Sequence, residues 1–285
     1  MKHYWVLGLL GVGFYGIFQF SRGEWWFQEN RHNTHDAVVA ERTVSSGNQD
    51  FLWTGDVAHG RTLEIKGING GVIARGGSGD EVVVRATKRS RRGNAADVQI
   101  EVVEHSGGVT VCAMYPSRES RNVCAPGEAG RMSSRNSDVN VDFEVSVPRG
   151  IAFIGRTVNG GVRVETLEGP VEAHTVNGSI TVSAAGSVRA VTVNGSIETI
   201  VDRTTVGGDV RLETVNGRVV LALPANANAD VSGSTSNGRI TSEFPLTISG
   251  RFGPKQVSGM LGSGGDNIRL QSVNGSISVV RRGGP

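Results

Sequence analysis

The sequence predicts an all-β chain, specifically a β-solenoid built from 17–22-residue Thr-Val-Asn-Gly repeats, and three observations lead there. One short phrase returns at a near-constant interval. Glycine supplies 41 of the 285 residues, about twice the usual share, without the every-third-residue period of a collagen. Aromatic residues make up only 6%, too few for the core of an ordinary sandwich. The chain is 38% hydrophobic, enough for a buried core. A formal charge of +2 gives no argument for nucleic acid, so none is expected as a partner.

The N-terminus comes first in chain order. Lys2 and His3 precede an apolar run from Val6 to Phe20, which Ser21, Arg22, Gly23 and Glu24 end. A basic start and a run of this length resemble a secretory signal. The next residues are bulky (Trp25, Trp26, Phe27) rather than small, and no cysteine follows for lipid attachment. Residues 1–27 therefore read as an uncleaved signal anchor, with a cleavable signal peptide as the alternative, and residues 5–27 are the expected membrane contact. Fifteen apolar residues of helix reach only about 22 Å, so the tryptophans would extend the span at the interface. Either reading places the rest outside the cytoplasm, in the cell envelope, anchored at the N-terminus or secreted to the periplasm or surface. Residues 28–50 are polar and read as a linker; His32 and His35 lie there and are expected to be solvated.

Residues 51–150 form an irregular β region. Leu63–Lys66, Glu81–Ala86, Val98–Val102 and Val109–Cys112 read as strands, and Val139–Val147 alternates over a whole strand that Pro148 ends. This half is expected either as a sandwich-like entry domain or as broader rungs capping the stack, whose open end would otherwise present bare strand edges. Cys112 and Cys124 are the sole cysteines and flank a polar, proline-containing loop. A disulfide is the leading reading, with free thiols and a metal pair as alternatives. A disulfide would match an oxidising compartment.

Residues 151–285 carry the repeat. Thr157-Val158-Asn159-Gly160, Thr175-Val176-Asn177-Gly178, Thr192-Val193-Asn194-Gly195 and Thr214-Val215-Asn216-Gly217 are full copies. Weaker ones centre on Asn237 and Asn274, and an early outlier is Ile68-Asn69-Gly70. From Asn159 to Asn274 the asparagines are spaced 18, 17, 22, 21 and 37 residues apart. The last interval reads as two units, one of which has lost its Asn-Gly. A second glycine pair or turn divides each unit, giving turn, short strand, turn, short strand. Asn-Gly is also a strong type I′ hairpin signal, so an antiparallel meander is the alternative to stacked rungs. In the stacked reading, asparagines at one corner satisfy one another.

These phrases, with the Val145-Ser146-Val147-Pro148 strand before them, resemble the bacterial putative-adhesin domains over roughly residues 51–285. The resemblance implies an extracytoplasmic, often membrane-tethered β protein and transfers no binding residues.

No phosphate loop, nucleophile elbow or His-Glu-x-x-His occurs, and no catalytic residue, metal or cofactor is expected. His174 is expected as an exposed strand residue. Asp202, Asp209, Glu213 and Glu243 do not define a pair by spacing, and no Trp or Tyr follows Tyr115 to hold a sugar. Arg85, Lys88, Arg89, Arg91 and Arg92 form a basic cluster. It reads as a solvated edge guard or, functionally, as a patch for an anionic partner. The expected function is a non-enzymatic surface-binding protein or adhesin, its partner an envelope or surface polymer or a protein. An alternative is a periplasm-facing scaffold or stress sensor; a glycan-active β-helix enzyme is weaker still.

Overall fold

A computed structural model describes residues 42–45, 50–117, 122–134, 137–202, 207–250 and 253–282. The expected N-terminal anchor, the pair His32 and His35, and the loop residues 118–121 lie outside them. Among the described residues, regular structure is all strand apart from two 3-10 turns. The first half contributes β1 (Arg42–Ser45), β2 (Phe51–Gly55), β3 (Thr62–Lys66), β4 (Val72–Gly76), β5 (Val82–Arg89), β6 (Gln99–His105), β7 (Gly108–Met114) and β8 (Asn140–Val147). Next come β9 (Ala152–Arg156), β10 (Val162–Leu167), β11 (Val171–Asn177), β12 (Ile180–Ala184), β13 (Gly186–Asn194), β14 (Ile197–Val201), β15 (Gly207–Asn216) and β16 (Val219–Leu223). The chain ends with β17 (Ala229–Asn237), β18 (Ile240–Ser242), β19 (Thr247–Ser249), β20 (Lys255–Leu261), β21 (Asn267–Asn274) and β22 (Ile277–Arg281).

These strands make two large sheets, one of twelve strands and one of ten. The strand entering each Asn-Gly belongs to the larger sheet and the strand leaving it to the smaller. Within each sheet the repeat strands pair in parallel and in register, as Asn177 with Asn194 and Ile180 with Ile197. Asn-Gly therefore turns the chain between sheets, and the antiparallel meander is excluded. The first half is no separate layer: β3 and β4 pair with β9 and β10 as further parallel members of the same two sheets. Residues 42–45, within the stretch read as linker, form β1 and pair with β6 at the sheet edge.

Alternation explains the interior. On the smaller sheet Val72, Val162, Ile180, Ile197, Val219, Ile277 and Ile240 stack in one buried row. On the larger sheet Leu63, Phe153, Val171, Val188, Val210, Ile268 and Val231 form another buried row. Each such side chain removed from water contributes about 1.5–3 kcal/mol, so every added rung extends the core by a similar increment.

The phrase itself is a contact between rungs. From Asn159 onward each asparagine Nδ2 donates to the Oδ1 of the asparagine one rung earlier in the stack, at 2.9–3.0 Å, along Asn69, Asn159, Asn177, Asn194, Asn216, Asn274 and Asn237. In five of the seven copies the residue two before is a buried threonine that donates to a neighbouring glycine carbonyl, as Thr192 to Gly178 at 2.9 Å, and Ser272 does the same before Asn274. Glycine follows because the rungs nearly touch: a Cβ on Gly195 would lie 1.9 Å from the Gly178 carbonyl oxygen. Close approach, more than a left-handed turn, is what selects glycine here. Of these seven glycines Gly70 alone has positive φ.

The ladder order is not the chain order. β21 lies between β15 and β17, and β22 between β16 and β18. The 37-residue interval therefore holds no repeat that has lost its Asn-Gly. It holds β18, β19 and β20, and β20 pairs antiparallel with β17 as an end cap before the chain returns.

Candidate functional surface

The outer face of the larger sheet carries two rows of side chains. One runs Thr110, Glu64, Ile154, Glu172, Arg189, Arg211, Arg269 and Ser232; the other runs Cys112, Lys66, Arg156, His174, Val191, Glu213, Gln271 and Ser234. Parallel register brings these residues together from positions far apart in sequence.

Near the N-terminal end the rows form a buried ionic cluster. Glu64 is 3% exposed, and its Oε1 accepts from Arg156 Nε at 2.9 Å with Lys66 Nζ 3.6 Å away. A strap holding Ala125, Gly127 and Glu128 closes over it. Lys66 donates to the carbonyls of Ala125 and Gly127, both at 2.5 Å. The Gly127 N–H donates back to Glu64 Oε2 at 2.9 Å. Burial pulls the Lys66 ammonium below its ordinary pKa, against the pull of Glu64. The Cys112–Cys124 disulfide, the leading expectation, ties the strap to β7.

His174 corrects an expectation: it is 8% exposed, because Arg156 flanks it in its row and Glu172 stands two residues away on the same face. Its Nε2 lies 3.2 Å from Glu172 Oε2. Burial holds the imidazole below its usual pKa, outweighing the carboxylate, while the hydrogen bond from His174 holds Glu172 low. The neutral ring with its Nε2–H donated to Glu172 satisfies both. These charges are paired with one another, which is a structural arrangement.

Farther along, Arg189, Arg211 and Arg269 lie side by side on consecutive strands, about 4.8 Å apart. Arg189 and Arg269 are exposed, Arg211 is half-buried, and Glu213 pairs with Arg211 at 2.6 Å. Sequence reasoning missed this row. Its signal was the recurring Val188-Arg189, Val210-Arg211 and Ile268-Arg269, at one position of successive units.

The predicted basic cluster is divided. Arg85 and Arg89 point outward from β5, whereas Lys88 lies on the inner face and is 7% exposed, its pKa lowered by burial. Antiparallel pairing with β8 brings acids to the cluster: Arg85 stands opposite Glu144, and Arg89 reaches Asp142 at 3.5 Å. The backbone N–H groups of Arg91, Arg92 and Gly93 bind the Asp138 carboxylate, and these bonds, that of Arg92 foremost, keep its pKa low. The four acids Asp202, Asp209, Glu213 and Glu243 do not converge. Asp202 pairs with Arg282, Asp209 accepts from Asn267, Glu213 pairs with Arg211, and Glu243 accepts from the Arg281 N–H. Among the described residues, no group of three or more His, Cys, Asp or Glu side chains is arranged to hold a metal ion, and no helix is long and apolar enough to cross a membrane.

No protein-family description matches the sequence, and no curated protein does. Two solved structures are similar to it. One is a putative cell adhesion protein from Clostridium sporogenes, with TM-score 0.49 and 10% identity, covering 82% of this chain and 99% of that one. The other is a putative adhesin from Bacteroides fragilis, with TM-score 0.32 and 12% identity over 83% and 98%. At these scores and identities the functional reading rests on the geometry.

Proposed function

We propose that this chain is a non-enzymatic surface-binding protein of the cell envelope: a β-solenoid, tethered by residues 5–27, that presents its flat sheet face to an anionic envelope polymer. The observation that carries the reading is the row Arg189, Arg211 and Arg269, three arginines at one register position of adjacent strands on the outer face, the middle one paired with Glu213. A linear polyanion lying along the stack would meet one guanidinium per rung. The disulfide supports an oxidising compartment. The binding test is retention on an immobilised anionic polysaccharide at low salt, with the Arg189→Gln/Arg211→Gln/Arg269→Gln variant beside the parent chain. Salt-sensitive retention lost in the variant supports the reading, and equal retention of both overturns it. Location is tested by protease treatment of whole cells and then spheroplasts: digestion in whole cells fits surface display, digestion only in spheroplasts places the face in the periplasm, and recovery in the cytosol rejects the envelope reading.

A further inference from the structure

The sequence contains seven Asn-Gly pairs, and this is the dipeptide most prone to internal cyclisation, because glycine leaves its own nitrogen unhindered. In six of them the ladder holds that nitrogen. The N–H of Gly70 donates to the Asn159 carbonyl, Gly160 to Asn177, Gly178 to Asn194, Gly195 to Asn216, Gly217 to Asn274 and Gly275 to Asn237, all at 2.9–3.1 Å. In the same six, the asparagine Oδ1 accepts from the next rung. Both restraints must break before the side-chain carbonyl carbon and the backbone nitrogen can meet.

Asn237 is the seventh, at the end of the ladder. The cap strand β20 runs antiparallel and its pairing with β17 stops at Thr235 opposite Lys255, so it brings no asparagine corner of its own. Asn237 still donates to Asn274 at 2.9 Å, but among the described residues its Oδ1 accepts nothing and the Gly238 N–H has no acceptor. Exposure does not separate the sites, since Asn159, Asn177, Asn194, Asn216 and Asn274 are as exposed as Asn237; the two missing restraints do.

We infer that Asn237 is a site of spontaneous covalent modification, the one Asn-Gly in the ladder that the fold leaves open to deamidation. The Gly238 nitrogen loses its proton to hydroxide and attacks Cγ of Asn237. The Cγ–Nδ2 bond breaks and the side-chain nitrogen leaves as ammonia. Water then opens the cyclic imide at either carbonyl, giving aspartate or isoaspartate. The product carries a carboxylate at the end of the ladder.

The test is to age the folded chain at mildly alkaline pH and follow all seven sites by peptide mass spectrometry, with a urea-unfolded sample in parallel. In the unfolded sample the seven sites react at comparable rates. In the folded sample Asn237 reacts at least about tenfold faster than any other, the protection expected from holding both restraints elsewhere. Equal rates at all seven sites of the folded chain, or faster reaction at an interior rung, overturn the inference. So does an unfolded sample in which Asn237 already leads by the same factor, because sequence alone would then explain it.

Discussion

Thr192 and Thr199 lie in the same rung, on β13 and β14, and both are buried, at 1% and 0% exposure. The hydroxyl of Thr192 donates to the Gly178 carbonyl at 2.9 Å, whereas that of Thr199 has no hydrogen-bond partner. Replacing each by valine exchanges a hydroxyl for a methyl of similar size, so the chemical change is identical and the environments decide the sign. Thr192→Val loses a hydrogen bond and strands a half-buried carbonyl, costing about 1–3 kcal/mol. Thr199→Val removes a polar group stacked between Val182 and Leu221. Relief of that unsatisfied burial contributes about 1 kcal/mol of stability. The two variants should therefore separate by about 2–4 kcal/mol in urea unfolding at unchanged m-value, with melting temperatures displaced in opposite directions by a few degrees per kcal/mol. If both variants destabilise equally, the hydroxyl-to-carbonyl bond is not what selects threonine in the phrase.

Three further outcomes are expected. Replacing Cys112 and Cys124 together by alanine frees a loop of sequence separation 12 and should lower stability by about 3 kcal/mol; a urea midpoint unmoved by reductant in the parent chain would refute it. Thr166 is a β-branched residue at φ 55, where β10 slips register, so Thr166→Asn should raise stability by about 1 kcal/mol in the same assay. Burial of His174 and partial burial of His105 hold both below the ordinary histidine value, so the unfolded chain binds more protons just below pH 6.5 and stability falls on acidification through that window. Glu172, held low by its hydrogen bond from His174, adds a further loss below about pH 4.5. His174→Gln should flatten the first part of that fall, and an unchanged pH profile would remove His174 from the account.

The repeat was legible in sequence because every rung imposes the same contacts on the same positions. Threonine meets a carbonyl, asparagine meets asparagine, and glycine meets backbone, so a three-dimensional ladder is written as a linear phrase. The arginine row was written the same way, but arginine tolerates many environments and its recurrence carries less weight. The ionic cluster of Glu64, Lys66, Arg156, Glu172 and His174 was not legible. Its members are brought together by register, and their burial depends on a strap around residues 125–128 that bears no repeat signature. The division of the basic cluster was half legible. Alternation along β5 predicts that Lys88 and Arg89 face opposite ways, but pairing with β8 supplied Asp142 and Glu144 from far along the chain.

The insertion of the last rung explains why counting repeats could not give the stack. β17 and β18 are made before β21 and β22, yet the later pair lies between them and the body of the stack. The earlier pair cannot simply dock on β15 and β16 and remain there, because that position belongs to residues still to come. The chain resolves this by sending β20 back antiparallel along the outer side of β17, leaving a return through Gly262, Gly264 and Gly265 to the vacant inner side. All three of these glycines have positive φ, which fits a reversal that other residues would resist. One end of the stack thus gains an antiparallel cap that blunts its exposed edge. The same topology explains why the asparagine ladder ends at Asn237 instead of at the last Asn-Gly in the sequence. A cap that protects the edge by running the other way has no corner to offer, so protection of the strand and the unengaged Oδ1 of Asn237 are two results of one reversal.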